Sequence, residues 1–190
     1  MEPVEAIPFP GERPPAPGRL RLVQRFANTV DFEHGREMLS SPQRLRAVLS
    51  ELGLLDADAE VTPADLGRAH AVRAALRSLA LANNGAKADP GAAEILERAS
   101  ADGRLVVRFD HGSGSLEPSV PGVRGALAEL VGIVYGAMAD GTWPRLKACR
   151  RDVCQWLFYD RSRNRSARWC QMAVCGNRTK TRAYRVRRSS

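Results

Sequence analysis

The sequence predicts an α+β protein: a mostly helical N-terminal domain with a small antiparallel sheet, then a C-terminal module held together by a metal. Three observations predict this. Apolar residues recur at helical spacing in several windows, most of them opened by a capping residue. Strand-like alternation before residue 142 is confined to short windows. All four cysteines, Cys149, Cys154, Cys170 and Cys175, fall within 27 consecutive residues near the C-terminus.

Residues 1–18 hold six of the twelve prolines, so they read as an extended segment rather than helix or central strand. A domain over residues 19–142 follows. Gly18-Arg-Leu-Arg-Leu-Val alternates apolar and charged residues and reads as a short strand leading into Phe26-Ala-Asn-Thr-Val-Asp31. Ser41-Pro42 is a cap with proline at the first helical position, followed by Leu45, Val48, Leu49 and Leu52 and ended by Gly53. Thr62-Pro-Ala-Asp65 opens a second helix in capping-box form, which Asn83-Asn-Gly85 stops. Asp89-Pro90 starts a shorter one through Ala99, and Arg104-Leu-Val-Val-Arg-Phe109 reads as a strand with a turn at 110–114 and a returning partner. Residues 119–138 form the longest helical window, with Val123, Leu127, Leu130, Val131, Val134 and Met138 on one face.

With 190 residues, 44% hydrophobic and 26% charged, the chain has the composition of a globular protein of one domain plus a small appendage. No uninterrupted apolar run approaches ~18 residues, so no membrane contact is expected. Met1-Glu-Pro-Val-Glu lacks the basic start and apolar core of a secretory leader, and a cytoplasmic location is the expectation.

Net charge is +8, unevenly spread. From Pro144 onward fourteen Lys or Arg face two Asp, giving +12, while the first 143 residues carry −4. The whole positive excess therefore lies in the cysteine segment, residues 143–190. Such asymmetry points to an acidic or neutral body bearing a basic arm for a polyanion.

The cysteines form two Cys-x4-Cys pairs separated by fifteen residues. Four thiolates at that spacing suit one closed tetrahedral zinc site, structural rather than catalytic. Iron–sulfur is the alternative metal chemistry, and disulfides are disfavoured because nothing in the chain indicates secretion. Bound zinc contributes about 10–16 kcal/mol of folding free energy in small modules. The expected order is knuckle, hairpin and helix, a zinc-ribbon or treble-clef-like finger. Trp156 and Phe158 fall on one strand face and Leu157 and Tyr159 on the other, and the final helix runs from about residue 177 to 188.

Residues 149–180 closely resemble the CGNR zinc-finger family, named for the run Cys175-Gly176-Asn177-Arg178. The likeness also covers Phe158, Asp160, Ser162-Arg163-Asn164, Arg168-Trp169-Cys170, Met172 and Lys180. The region before it resembles the ABATE domain that usually precedes such a finger. The resemblance implies a stress-induced regulator of transcription, with RNA binding as a second implied activity. ABATE domains typically open Leu-Asp-Phe-Val-Asn-Thr, whereas this chain reads Gln24-Arg25-Phe26-Ala27-Asn28-Thr29, with an arginine in place of the acid. Read from the residues, Asn28, Thr29 and Asp31 serve helix capping and turns.

On the final helix Arg178, Arg182 and Arg185 make a one-sided ridge that Lys180 broadens. Arg161, Arg163, Arg165 and Arg168 supply a second basic edge. Arginines so placed suit phosphate and guanine recognition, engaging about 4–6 phosphates with a steep salt dependence. Trp156, Phe158 and Trp169 are expected to form a small core around the metal, with Tyr159 and Tyr184 free to touch bases. Asp160 is expected to pair with an arginine and fix the loop, and Asn177 to cap the helix. The expectation is a DNA-binding regulator whose N-terminal domain senses a small-molecule ligand or associates, for instance as a homodimer. The alternatives are an RNA-binding protein and a zinc-stabilised protein-interaction module. The three scattered histidines (His34, His70, His111) and the lack of phosphate-loop, nucleophile-elbow or His-Glu-x-x-His motifs give no reason to expect an enzyme.

Overall fold

A computed structural model describes residues 14–87, 89–179 and 181. The elements are α1 (Leu20–Ala27), β1 (Val30–Asp31), β2 (Arg36–Glu37), α2 (Pro42–Glu51), α3 (Pro63–Ala82), α4 (Pro90–Asp102), β3 (Leu105–Asp110), β4 (Ser113–Pro118), α5 (Gly122–Ala139), β5 (Leu146–Ala148) and β6 (Leu157–Tyr159). The α+β expectation therefore stands, but the sheet component among the described residues is three separate two-stranded antiparallel hairpins, β1–β2, β3–β4 and β5–β6.

The alternation at residues 18–23 reads as strand, and the structure corrects it to helix. Leu20, Val23, Gln24 and Ala27 sit at i, i+3, i+4 and i+7 of α1 and are all buried. An apolar stripe of that period, extended by Phe26, outweighs a two-residue alternation. The expected caps are present. Ser41 accepts from the Arg44 N–H, and Thr62 and Asp65 form a reciprocal capping box. At the end of α2, Gly53 turns left-handed at φ +70°. Its N–H reaches Ser50 O and the Leu54 N–H reaches Leu49 O, the paired bonds of a Schellman stop.

The helices α1 to α5 bury one core, including Phe26, Leu45, Leu76, Leu127 and Leu130. Among the described residues α5 is the one helix with the length and apolarity of a membrane span, and its Val123, Leu127, Leu130 and Val134 are buried in this core. The same core takes in Leu146, Ala148, Leu157 and Tyr159 from β5 and β6. The opposite face of the hairpin carries Trp156 and Phe158, which pack with Cys149, Cys170 and Cys175 in a second cluster. Period-two alternation thus makes β6 a wall shared by two cores. Tyr159, expected to be free for bases, is only 7% exposed, because it falls on the face turned to the N-terminal core.

Candidate metal centre and basic face

Cys149 directly follows β5 and its N–H bonds to Trp156 O at 2.9 Å, closing the knuckle. Within it, Arg151 O accepts from both the Cys154 and Gln155 N–H groups. Gln155 then adopts φ +47°, which swings the chain into β6. The hairpin thus brackets the first cysteine pair, pairing Leu146 with Tyr159 and Ala148 with Leu157. The strand paired with β6 precedes the knuckle, and residues 160–167 form a loop. At the second pair, Gln171 O accepts from the Cys175 and Gly176 N–H groups, giving one wide turn over Met172–Gly176. A Cβ on Gly176 would lie 2.4 Å from Met172 Sδ and 3.0 Å from Trp169 Cδ1, so any side chain here would require the Met172 side chain to move.

The four Sγ atoms lie within 4.8 Å of one another. Cys154 to Cys170 is 3.6 Å and Cys170 to Cys175 is 3.7 Å. A tetrahedron with Zn–S bonds of about 2.3 Å has edges of about 3.8 Å, whereas a disulfide needs about 2.05 Å. No disulfide joins the four cysteines, and Cys149, Cys170 and Cys175 are buried. Hydrogen bonds from Cys154 and Cys170 hold the Cys149 thiol down at about 2. Its bond with Cys149 pushes Cys154 up to about 12, and Cys149 and Cys154 together raise Cys170 far above a free thiol. A divalent cation at the centre would relieve the repulsion between thiolates this close together.

A family model for the CGNR zinc finger matches residues 145–188. A second, for ABATE, "putative stress-induced transcription regulator", matches residues 20–143, well over half of the chain. The chain belongs to the ABATE family. No match was found among curated proteins. With the CGNR match and four thiols at tetrahedral spacing, Cys149, Cys154, Cys170 and Cys175 form a structural zinc site.

Around the CGNR centre the expected site residues divide. Trp156 and Phe158 are buried against the cysteines, Trp169 is partly buried there, and Asn177 is exposed where the backbone turns helical. Asp160 fixes the loop as expected, but its partner is Lys147 Nζ at 2.8 Å, not an arginine. Lys147 enters from the strand across the hairpin, with its side chain 6% exposed and that of Asp160 fully buried. Asp160 also accepts from Ser162 N, Ser162 Oγ and Ala167 N. Burial alone would raise this carboxyl, but the bonds from Lys147 and Ser162 outweigh it and hold the group at about 2. Lys147 donates to Arg165 O and Ala167 O, and Arg145 to Asp160 O and Ser162 O, so the loop 160–167 is tied down from within.

This loop presents Arg161, Arg163 and Arg165 to solvent, and Arg168 follows, also exposed. Arg161 donates to Pro15 O, while no hydrogen bond or ion pair engages the guanidinium groups of Arg163, Arg165 or Arg168 among the described residues. Arg178 meets Glu33 Oε1 at 2.5 Å, and Arg151 meets Glu33 Oε2 at 2.8 Å and also reaches Cys175 Sγ at 4.0 Å. Hydrogen bonding from Arg151 is the main cause lowering the Glu33 carboxyl. Lys180, Arg182 and Arg185 of the expected ridge, and Tyr184, lie outside the described residues.

Several residues that join the ABATE domain to the finger carry no obvious sequence signal. The Asn28 side chain donates to Leu157 O at 2.9 Å and accepts from the Leu157 N–H at 2.8 Å, pairing the outer edge of β6 as a strand would. Gln24 donates to the same carbonyl. Asn83 donates to Trp143 O and Leu146 O, and Asn84 to Ala148 O and Arg168 O. The turn reading fits Thr29, which bonds to Phe26 O, and Asp31, which accepts from Glu33 N and His34 N; Asn28 does more. The available hint is polar amides in otherwise apolar windows.

Proposed function

We propose that this protein is a DNA-binding regulator of transcription whose zinc finger offers a pinned arginine edge to the phosphate backbone. The observation that carries this reading is the loop 160–167, held by the buried Lys147–Asp160 pair while Arg163, Arg165 and Arg168 stay exposed and unengaged among the described residues. A preformed cationic edge loses little conformational entropy on binding, and arginine suits phosphate geometry. Arg178, with Lys180, Arg182 and Arg185 beyond the described residues, would extend the edge once Arg178 leaves Glu33. The metal acts as a structural pin, and contact falls to the arginines.

Fluorescence anisotropy of the zinc-loaded chain with duplex DNA, at several salt concentrations, tests the proposal. Replacing Arg163 and Arg168 by Ala should weaken binding at constant zinc content and flatten the log–log salt slope by roughly 2. Preference for RNA of equal length at equal salt would move the reading to RNA. No binding to either polymer at low salt, with zinc retained, would leave the finger as a protein-interaction module.

A further inference from the structure

One buried cation in the ABATE domain lacks the partners its burial requires. Arg77, on α3, is 5% exposed. Its Nη2 donates to Ala27 O, while Nε and Nη1 have no hydrogen-bond partner among the described residues. Arg73, one turn earlier, is satisfied by Glu37 Oε1 at 2.7 Å, Glu37 Oε2 at 2.6 Å and Thr29 Oγ1 at 3.0 Å. Glu37 therefore neutralises Arg73, and no described carboxylate pairs with Arg77. A buried guanidinium with two unsatisfied nitrogens calls for a further partner, and an anion would also balance its charge.

Arg77 lines a cavity of about 250 Å³ with Val30, Phe32, Arg73, Leu81 and Gln155. Gln155 comes from the zinc knuckle, so the cavity lies between the two parts of the molecule. Phe32 lies over the guanidinium, 4.6 Å from ring centroid to Cζ, yet is 49% exposed. The ring belongs to neither core cluster. The exposed lining is chiefly apolar, although His70 and Ser78 also reach it, which suits a singly charged carboxylate with a compact apolar body better than a phosphate dianion needing many donors.

We propose that this cavity binds a small monocarboxylate, with Arg77 as its charge partner, Phe32 as its cover and Gln155 as its contact on the finger. Phe32 adjoins Glu33, the residue that engages Arg151 and Arg178, so displacing the ring would disturb that ion pair. This last step rests on the nucleic-acid reading; the binding site does not.

Benzoate is the probe, titrated into the zinc-loaded full chain at constant ionic strength and followed by amide and side-chain NMR shifts. Benzyl alcohol and inorganic phosphate are the controls. Benzoate should bind saturably, with shifts centred on Phe32, Arg77 and Gln155, and at least about tenfold more tightly than either control. Arg77→Met should abolish that preference, and Phe32→Ala, which removes the cover, should weaken benzoate binding. Equal response to benzoate and benzyl alcohol, or shifts centred elsewhere, overturns the site. So does an Arg77→Met protein that keeps the preference, or a wild type that never binds benzoate while Arg77→Met releases zinc more readily, for the guanidinium, which feels the charge of Cys154, then merely balances the thiolates. If Arg77→Met does not fold, the wild-type ratio and shift positions settle the matter. Loss of all nucleic-acid binding would refute the regulator reading and leave this result standing.

Discussion

Asn28→Ala is the sharpest test of how the finger is attached. The side chain is 4% exposed and makes two complementary bonds to the backbone of Leu157, itself fully buried. Truncation leaves the Leu157 N–H without its acceptor in a dry site, costing about 1–3 kcal/mol. The carbonyl keeps Gln24 at 3.2 Å, so the second loss is the net value of one hydrogen bond, about 1 kcal/mol. The expected destabilisation is about 2–4 kcal/mol, against about 1 kcal/mol for a residue that only caps or turns. Urea unfolding of the zinc-loaded protein should show the midpoint falling at unchanged slope. Competition with a chelator should show zinc leaving more readily, because β6 carries the chain out of the first cysteine pair. A change below about 0.5 kcal/mol with unaltered zinc retention would refute the claim that this amide splices the two parts.

Three other outcomes are expected. Chelation or Cys175→Ser should remove the single zinc measured by elemental analysis. It should also lower the melting temperature of the N-terminal domain, since Leu146, Ala148, Leu157 and Tyr159 belong to its core; an unchanged N-terminal transition would sink this. Asp160→Asn should cost about 3 kcal/mol at neutral pH by leaving Lys147 buried and unpaired. Because the folded carboxyl sits at about 2, below its usual 3.8, the wild-type advantage is complete above about pH 4 and shrinks as pH falls towards 2. Denaturation of both proteins across that range would check it, and a constant gap would contradict the assignment. Glu33→Gln should free Arg151 and Arg178 and tighten duplex binding by up to about fivefold, the limit of an exposed ion pair. Since the Glu33 carboxyl is held below its usual range, the clamp is closed at neutral pH and opens only in acid. Unchanged affinity in the anisotropy assay would assign Glu33 to packing alone.

What the sequence determined by itself is local. The caps at Ser41, Thr62 and Asp89, the stop at Gly53, the Cys-x4-Cys pairs and the confinement of positive charge each depend on residues a few positions apart. Short-range geometry makes such signals legible, and the two faces of β6 follow from its alternation alone. The strand reading at residues 18–23 failed where two periods overlapped and burial chose between them.

Only the tertiary structure decided the rest. Asn28 meets Leu157 across 129 positions, Arg151 meets Glu33 across 118, and Asn84 meets Arg168 across 84. An asparagine's pattern in sequence is the same whether it stops a helix or pairs a strand. An arginine in a basic run looks alike whether it faces solvent or a carboxylate on another element. Hydrogen bonds and ion pairs of that kind exist only after the chain closes on itself, and the arrangement of N–H, C=O and charge in the folded molecule selects which arginines stay free.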